Sequence, residues 1–115
     1  MITIGKRFTF EASHKLPGHP TCGVLHGHSY TLIVCVTAAV DLSTGMVQDY
    51  KTLSAIVEDV IIKVLDHTHL NDTLEMPTAE NLVLWCVRRL QTTNLPLTEV
   101  TIQETQNTFA MWRKP

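Results

Sequence analysis

No apolar run in the sequence approaches the ~20 residues a membrane-spanning helix requires. Met1 to Phe10 lacks the apolar core of a secretory leader, so a cytoplasmic location is expected. There are only three cysteines, Cys22, Cys35 and Cys86, an odd number in unrelated local contexts. That argues against a disulfide framework and suits a reducing compartment. Basic residues are neither abundant nor clustered: nine Lys and Arg stand against eleven Asp and Glu, for a net charge of −2. This leaves no electrostatic case for a nucleic-acid partner or an anionic membrane. There is no Gly-rich dinucleotide loop, internal repeat or low-complexity segment.

What is present fits one folded domain, residues 1–115, with 44% hydrophobic residues. Phe8, Phe10, Ala12 and His14 share one parity and Arg7, Thr9, Glu11 and Ser13 the other, which predicts a half-buried strand over 2–14. Lys15 to Val24, with two prolines and two glycines, reads as a loop. A second strand over 25–40 puts His26, His28, Tyr30, Leu32, Val34 and Val36 on one face. From Lys51 the period changes, with Leu53, Ile56, Val57, Val60, Ile61, Val64 and Leu65 marking an amphipathic helix. Thr78 is the expected N-cap of a second helix running to about Gln91. Leu97 to Trp112 alternates again and predicts a strand with a short hairpin partner. The expected architecture is α+β, in the order ββααββ, with an antiparallel four-stranded sheet covered by two helices on one face. Cys35 and Cys86 are expected to pack in the core.

His26 and His28 occupy i and i+2 of a strand and project side by side, and His14 ends the neighbouring strand. If the two strands pair as a hairpin, three neutral imidazoles converge, a donor set that suits zinc. A lone histidine on such a face is ordinarily a hydrogen-bonded core residue, but His-Gly-His beside a third histidine favours the metal. Cys22 could close the coordination sphere as a fourth, structural ligand, and spacing leaves that alternative open. Asp66 and His67 stand at a helix end, where a carboxylate can orient an imidazole for acid-base work, although a helix C-terminus also welcomes a cationic histidine. Glu104 falls on the apolar face of a strand and needs a partner there, either a ligand donor or a buried arginine. His19 and His69 are read as loop residues without chemistry.

The segments Cys22-Gly-Val-Leu-His26-Gly-His28-Ser-Tyr30, Gly45-Met-Val-Gln-Asp49-Tyr, Leu65-Asp66-His67-Thr-His-Leu70-Asn71, Pro77-Thr78-Ala-Glu80-Asn81 and Glu104-Thr105 occur in an order that resembles one enzyme family. It is the family of the 6-pyruvoyl- and 6-carboxy-tetrahydropterin synthases. The resemblance implies the tunnelling fold, assembled as trimers and usually hexamers, with active sites between subunits. It implies Zn2+ held by His14, His26 and His28, with Cys22 as catalytic base rather than ligand and Asp66 and His67 as an acid-base pair. It further implies that Glu104 anchors a pterin, with Thr78 and Glu80 as supporting substrate contacts. The short Gly23-Val24-Leu25 gap resembles the 6-carboxy-tetrahydropterin synthases of the queuosine pathway, which act on 7,8-dihydroneopterin triphosphate. Two other readings stand beside it: a pyruvoyl-forming synthase using the same residues, and a zinc-stabilised binding module without catalysis.

Overall fold

The computed structural model describes all 115 residues. Strand β1 (Ile2–His14) pairs antiparallel with β2 (His26–Ala38) along its whole length, from Ile2 opposite Ala38 to His14 opposite His26. The chain then forms α1 (Tyr50–Val57), a π-helical turn (Glu58–Ile62) and α2 (Lys63–Leu65) in succession. Strand β3 (Thr68–His69) and a single 3-10 turn follow, then α3 (Ala79–Leu90), β4 (Leu97–Gln103) and β5 (Ala110–Arg113). No helix is long and apolar enough to cross a membrane.

The sheet has five strands in the order β3-β1-β2-β4-β5, not the expected antiparallel four. The addition is β3, which lies parallel to β1 with Ala12 opposite Thr68 and Ser13 opposite His69. Two residues are too few to show a period of two, and they leave a helix end directly, so the pattern reads them as loop. The rest of the expected layout is present, including Thr78 as the N-cap of α3, its hydroxyl accepting from the Asn81 N–H at 3.2 Å.

One core joins the sheet to the helices. Phe8, Phe10, Tyr30, Leu32, Val34, Val36, Val100 and Ile102 pack from the sheet against Leu53, Val57, Ile61, Leu65, Leu82, Cys86 and Leu90 from the helices. Cys86 is fully buried, and its thiol is pushed up to about 12 by that burial. Cys35 is not in the core as expected. It has the opposite parity to Val34 and Val36, and its half-buried Sγ sits over Gly5, where a Cβ would come within 2.9 Å of it.

The π turn shifts the helical ladder by one residue inside the first helical run. There Arg89 of α3 donates from Nε to the Val60 carbonyl at 2.6 Å while its guanidinium lies 5.0 Å from the Trp85 ring centroid. Arg89→Met keeps the apolar stem and removes the donor. It is expected to lower stability by about 1 kcal/mol in urea unfolding; an unchanged midpoint would assign the bond no role.

Candidate metal centre and acid-base pair

Because side chains alternate across a strand, the register of β1 and β2 sends Ala12, His14, His26, His28 and Tyr30 to the helix side of the sheet. His14 is fully buried, and its Nδ1 lies 2.9 Å from the Pro77 carbonyl oxygen. A carbonyl only accepts, so Nδ1 carries the hydrogen and Nε2 presents a lone pair. The same logic applies to His26, whose Nδ1 donates to the Val24 carbonyl at 2.7 Å. The two Nε2 atoms then face one another at 2.9 Å. With both ring hydrogens committed to carbonyls, this approach is stable only with a cation or an extra proton between them.

His28 completes the set. Its Nε2 is buried and has no hydrogen-bond partner, although Glu104 Oε1 lies 2.9 Å away. The same oxygen is 3.1 Å from His14 Nε2, and the donor atoms of His14, His26, His28 and Glu104 all lie within 4.8 Å of one another. Burial lowers the pKa of His28, with Glu104 opposing and His14 and His26 reinforcing that shift, which favours the neutral imidazole a metal requires. Three imidazole nitrogens and one carboxylate oxygen, with Nδ1 of two rings oriented by backbone carbonyls, fit a divalent metal such as zinc.

Glu104 sits just past the end of β4, where His14 and His28, not an arginine, are its side-chain neighbours. Cys22 is not in the metal-binding group. It lies in the Lys15–Leu25 loop, with Sγ 3.8 Å from the Thr21 hydroxyl.

Asp66 and His67 are brought together as expected, but away from the histidine cluster. Asp66 ends α2 and accepts the Glu11 N–H at 2.9 Å, while its other oxygen accepts from His67 Nδ1 at 3.0 Å. The Glu11 amide first, and His67 second, hold the Asp66 carboxyl below its ordinary value. His67 turns the chain from helix to β3 with a φ of 59°, left-handed backbone that a non-glycine residue adopts at a cost. Its N–H donates to the Glu11 carbonyl at 2.6 Å. The pair therefore flanks the other side of the sheet. An open pocket of about 550 Å³ there is lined by Glu11, Ser13, Ser29, His67 and His69, among others, and of the four metal-group residues only His28 borders it.

Thr78 and Glu80 stand at the start of α3. Thr78 serves as cap, the adjoining Pro77 carbonyl fixes His14, and exposed Glu80 borders a separate groove beside Met111 and Trp112. Sequence reasoning missed the carbonyls of Pro77 and Val24, since a backbone acceptor has no residue signature. It also missed the paired bonds of Asn71, which accepts the Lys15 N–H at 2.9 Å and donates to the Lys15 carbonyl at 2.8 Å, fixing the chain just beyond His14. The Leu70-Asn71 dipeptide was the available clue.

A sheet covered by helices on one face, with three histidines and one glutamate gathered at the mouth of its central hairpin, defines an α+β protein with a side-chain group able to hold a metal ion. The sequence profile of the 6-pyruvoyl tetrahydropterin synthases matches residues 3–115, and the chain belongs to that family. It is 37% identical over 123 residues to the 6-carboxy-5,6,7,8-tetrahydropterin synthase of Synechocystis, covering 100% of this chain and 95% of that protein. It is 37% identical over 90 residues to the dihydroneopterin monophosphate aldolase of Pyrococcus furiosus, covering 78% and 75% of the two chains. The structure of Caenorhabditis elegans 6-pyruvoyl tetrahydropterin synthase superposes with a TM-score of 0.90 at 25% identity, covering 99% of this chain and 96% of that one.

Two outcomes are expected at Asp66 and His67. His67→Gly and His67→Ala both delete the imidazole, but glycine relieves the left-handed backbone and should be the more stable of the two by about 1 kcal/mol in denaturant unfolding; equal stabilities would mean position 67 carries no strain. Asp66 contributes stability above its unfolded value of ~3.9, and loses it as pH falls through its lower folded value. Carboxyl NMR titration should therefore place its midpoint below ~3.9, moving upward in His67→Ala.

Proposed function

We propose that the chain is a cytoplasmic, zinc-dependent 6-carboxy-5,6,7,8-tetrahydropterin synthase of queuosine or 7-deazaguanine biosynthesis. The reaction would convert 7,8-dihydroneopterin triphosphate to 6-carboxytetrahydropterin, acetaldehyde and triphosphate. The observation that carries the catalytic reading is the convergence of imidazole lone pairs from His14, His26 and His28 on one point. The carboxy-forming reading is supported by the end-to-end match to the Synechocystis synthase and by the short interval between Cys22 and His26.

Zinc bound by the three histidines would supply Lewis-acid polarisation of the substrate's side-chain oxygens, acidifying the adjacent C–H bonds. Cys22 acts as the thiolate base that removes a side-chain proton. His67 keeps its Nδ1 hydrogen on Asp66, so its Nε2 is the nitrogen that takes and returns protons. Glu104 accepts hydrogen bonds from the guanidine-like edge of the pterin. Thr78 and Glu80 add contacts from the start of α3.

The Asp66–His67 pair and the histidine cluster face different sides of the sheet, which supports a catalytic set completed between copies. The reading is accordingly a homo-oligomer built on trimers, a hexamer in its full form. Open edges at β3 and β5 provide strand surfaces for such pairing.

Zinc-loaded protein incubated with 7,8-dihydroneopterin triphosphate should yield 6-carboxytetrahydropterin and acetaldehyde, read by mass spectrometry and an aldehyde assay. A pyruvoyl product would assign the chain to the sister activity, and folded, zinc-bound protein without turnover would overturn catalysis. Cys22→Ala should keep its zinc and lose turnover by about 100-fold or more; zinc loss instead would make Cys22 a ligand. Chelation should abolish activity while leaving far-ultraviolet circular dichroism intact, whereas a purely structural zinc would take the fold with it.

A further inference from the structure

His19 lies outside every motif that carries the family resemblance, yet the loop bearing Cys22 is organised around its ring. Nδ1 of His19 accepts the backbone N–H of Cys22 at 2.9 Å and that of Thr21 at 3.2 Å, with the Thr21 hydroxyl 3.3 Å away. Accepting two amides requires Nδ1 to be free of hydrogen, so a neutral His19 carries its proton on Nε2. The loop backbone closes around this contact. The Cys22 carbonyl accepts from the Leu16 N–H at 2.8 Å, the Leu16 carbonyl accepts from the His19 N–H at 3.1 Å, and the His19 carbonyl accepts from the Gly23 N–H at 3.1 Å. A side chain at position 23 would bring its Cβ to 2.6 Å from that same His19 carbonyl, so only glycine fits there.

Both backbone polar groups of Cys22 are thus held, the N–H by the His19 ring and the C=O by Leu16. Of these two restraints only the first comes from a side chain. The ring is solvent-exposed, so core packing does not account for its position.

We infer that His19 is a positioning residue that fixes the Cys22 thiol for proton abstraction through its Nδ1 acceptor. This rests on the reading of Cys22 as the catalytic base. A base displaced by about 1 Å loses up to 10²-fold in rate, so restraint of an exposed loop is where such accuracy would be gained.

The test uses atom position. Asparagine places Oδ1 where histidine has Nδ1 and can accept amides two and three residues on, as in an Asx turn, whereas glutamine reaches toward the Nε2 position. In zinc-loaded protein, His19→Ala and His19→Gln are expected to lower kcat by about tenfold or more with KM within about twofold, while His19→Asn restores kcat to within about threefold. Amide hydrogen exchange read by NMR gives an activity-independent measure. Protection of the Thr21 and Cys22 amides should fall in the Ala and Gln variants and persist in Asn, with zinc content unchanged throughout. Equal kcat in all three variants, or unchanged amide protection in His19→Ala, would overturn the inference. Cys22→Ala, measured alongside, separates the two ideas: if it turns over normally, the base assignment falls; if it is inactive and the His19 series is flat, only the positioning role falls.

Discussion

The pairing of His14 with His26 across the β1–β2 hairpin is the constraint on which the site depends. A slip of one residue in that register would carry His26, His28 and Tyr30 to the opposite face. What prevents the slip is the core, since Phe8 and Phe10 on β1 and Leu32, Val34 and Val36 on β2 share the parity of the histidines. Each such side chain contributes roughly 1.5–3 kcal/mol on burial. Apolar packing further along the same strands sets which face the donor set occupies.

The same hairpin divides the chemistry between two faces. On the helix side lie the histidines and Glu104; on the other, β3 carries His67 past Glu11 and Ser13. The helical run that ends at Leu65 delivers Asp66 directly onto the Glu11 amide, and the left-handed turn at His67 reverses the chain into a parallel strand. Local strain at His67 is offset by bonds on either side of it, the His67 N–H to Glu11 and Asn71 to Lys15. The pair is therefore fixed to β1 by backbone hydrogen bonds and does not meet the histidine cluster within one chain.

Most of the fold was legible because its long elements have clean periods. The thirteen-residue strands β1 and β2 alternate throughout, and the helix beginning near Lys51 and the cap at Thr78 follow from spacing and hydroxyl chemistry. The π turn left no mark, because one extra residue in a ladder changes no side-chain pattern that a short window detects. Strand β3 was invisible for want of length, and its parallel pairing depends on a tertiary contact with β1. In the site, the histidine triad was legible as residues on a shared face. The position of Glu104 among those imidazoles was not, because it depends on how far the chain runs past the end of β4. The contacts of the His19 ring were not legible either, because a ring nitrogen that accepts backbone amides leaves no pattern in a loop sequence.

A common physical rule sorts four of the six histidines, His14, His19, His26 and His67: the partner at Nδ1 decides what Nε2 can do. A backbone carbonyl at His14 and at His26 forces the hydrogen onto Nδ1 and leaves Nε2 as a lone pair, the form that ligates a metal. A carboxylate at His67 does the same and in addition stabilises the protonated ring, the condition for moving a proton rather than binding an ion. Backbone amides at His19 reverse the assignment, with Nδ1 as acceptor and Nε2 as donor, so that ring is unsuited to either task as held and serves to shape its loop. The imidazoles start from one intrinsic chemistry near neutrality. Their different hydrogen placements arise from which backbone or side-chain atom the fold sets against one nitrogen of each ring.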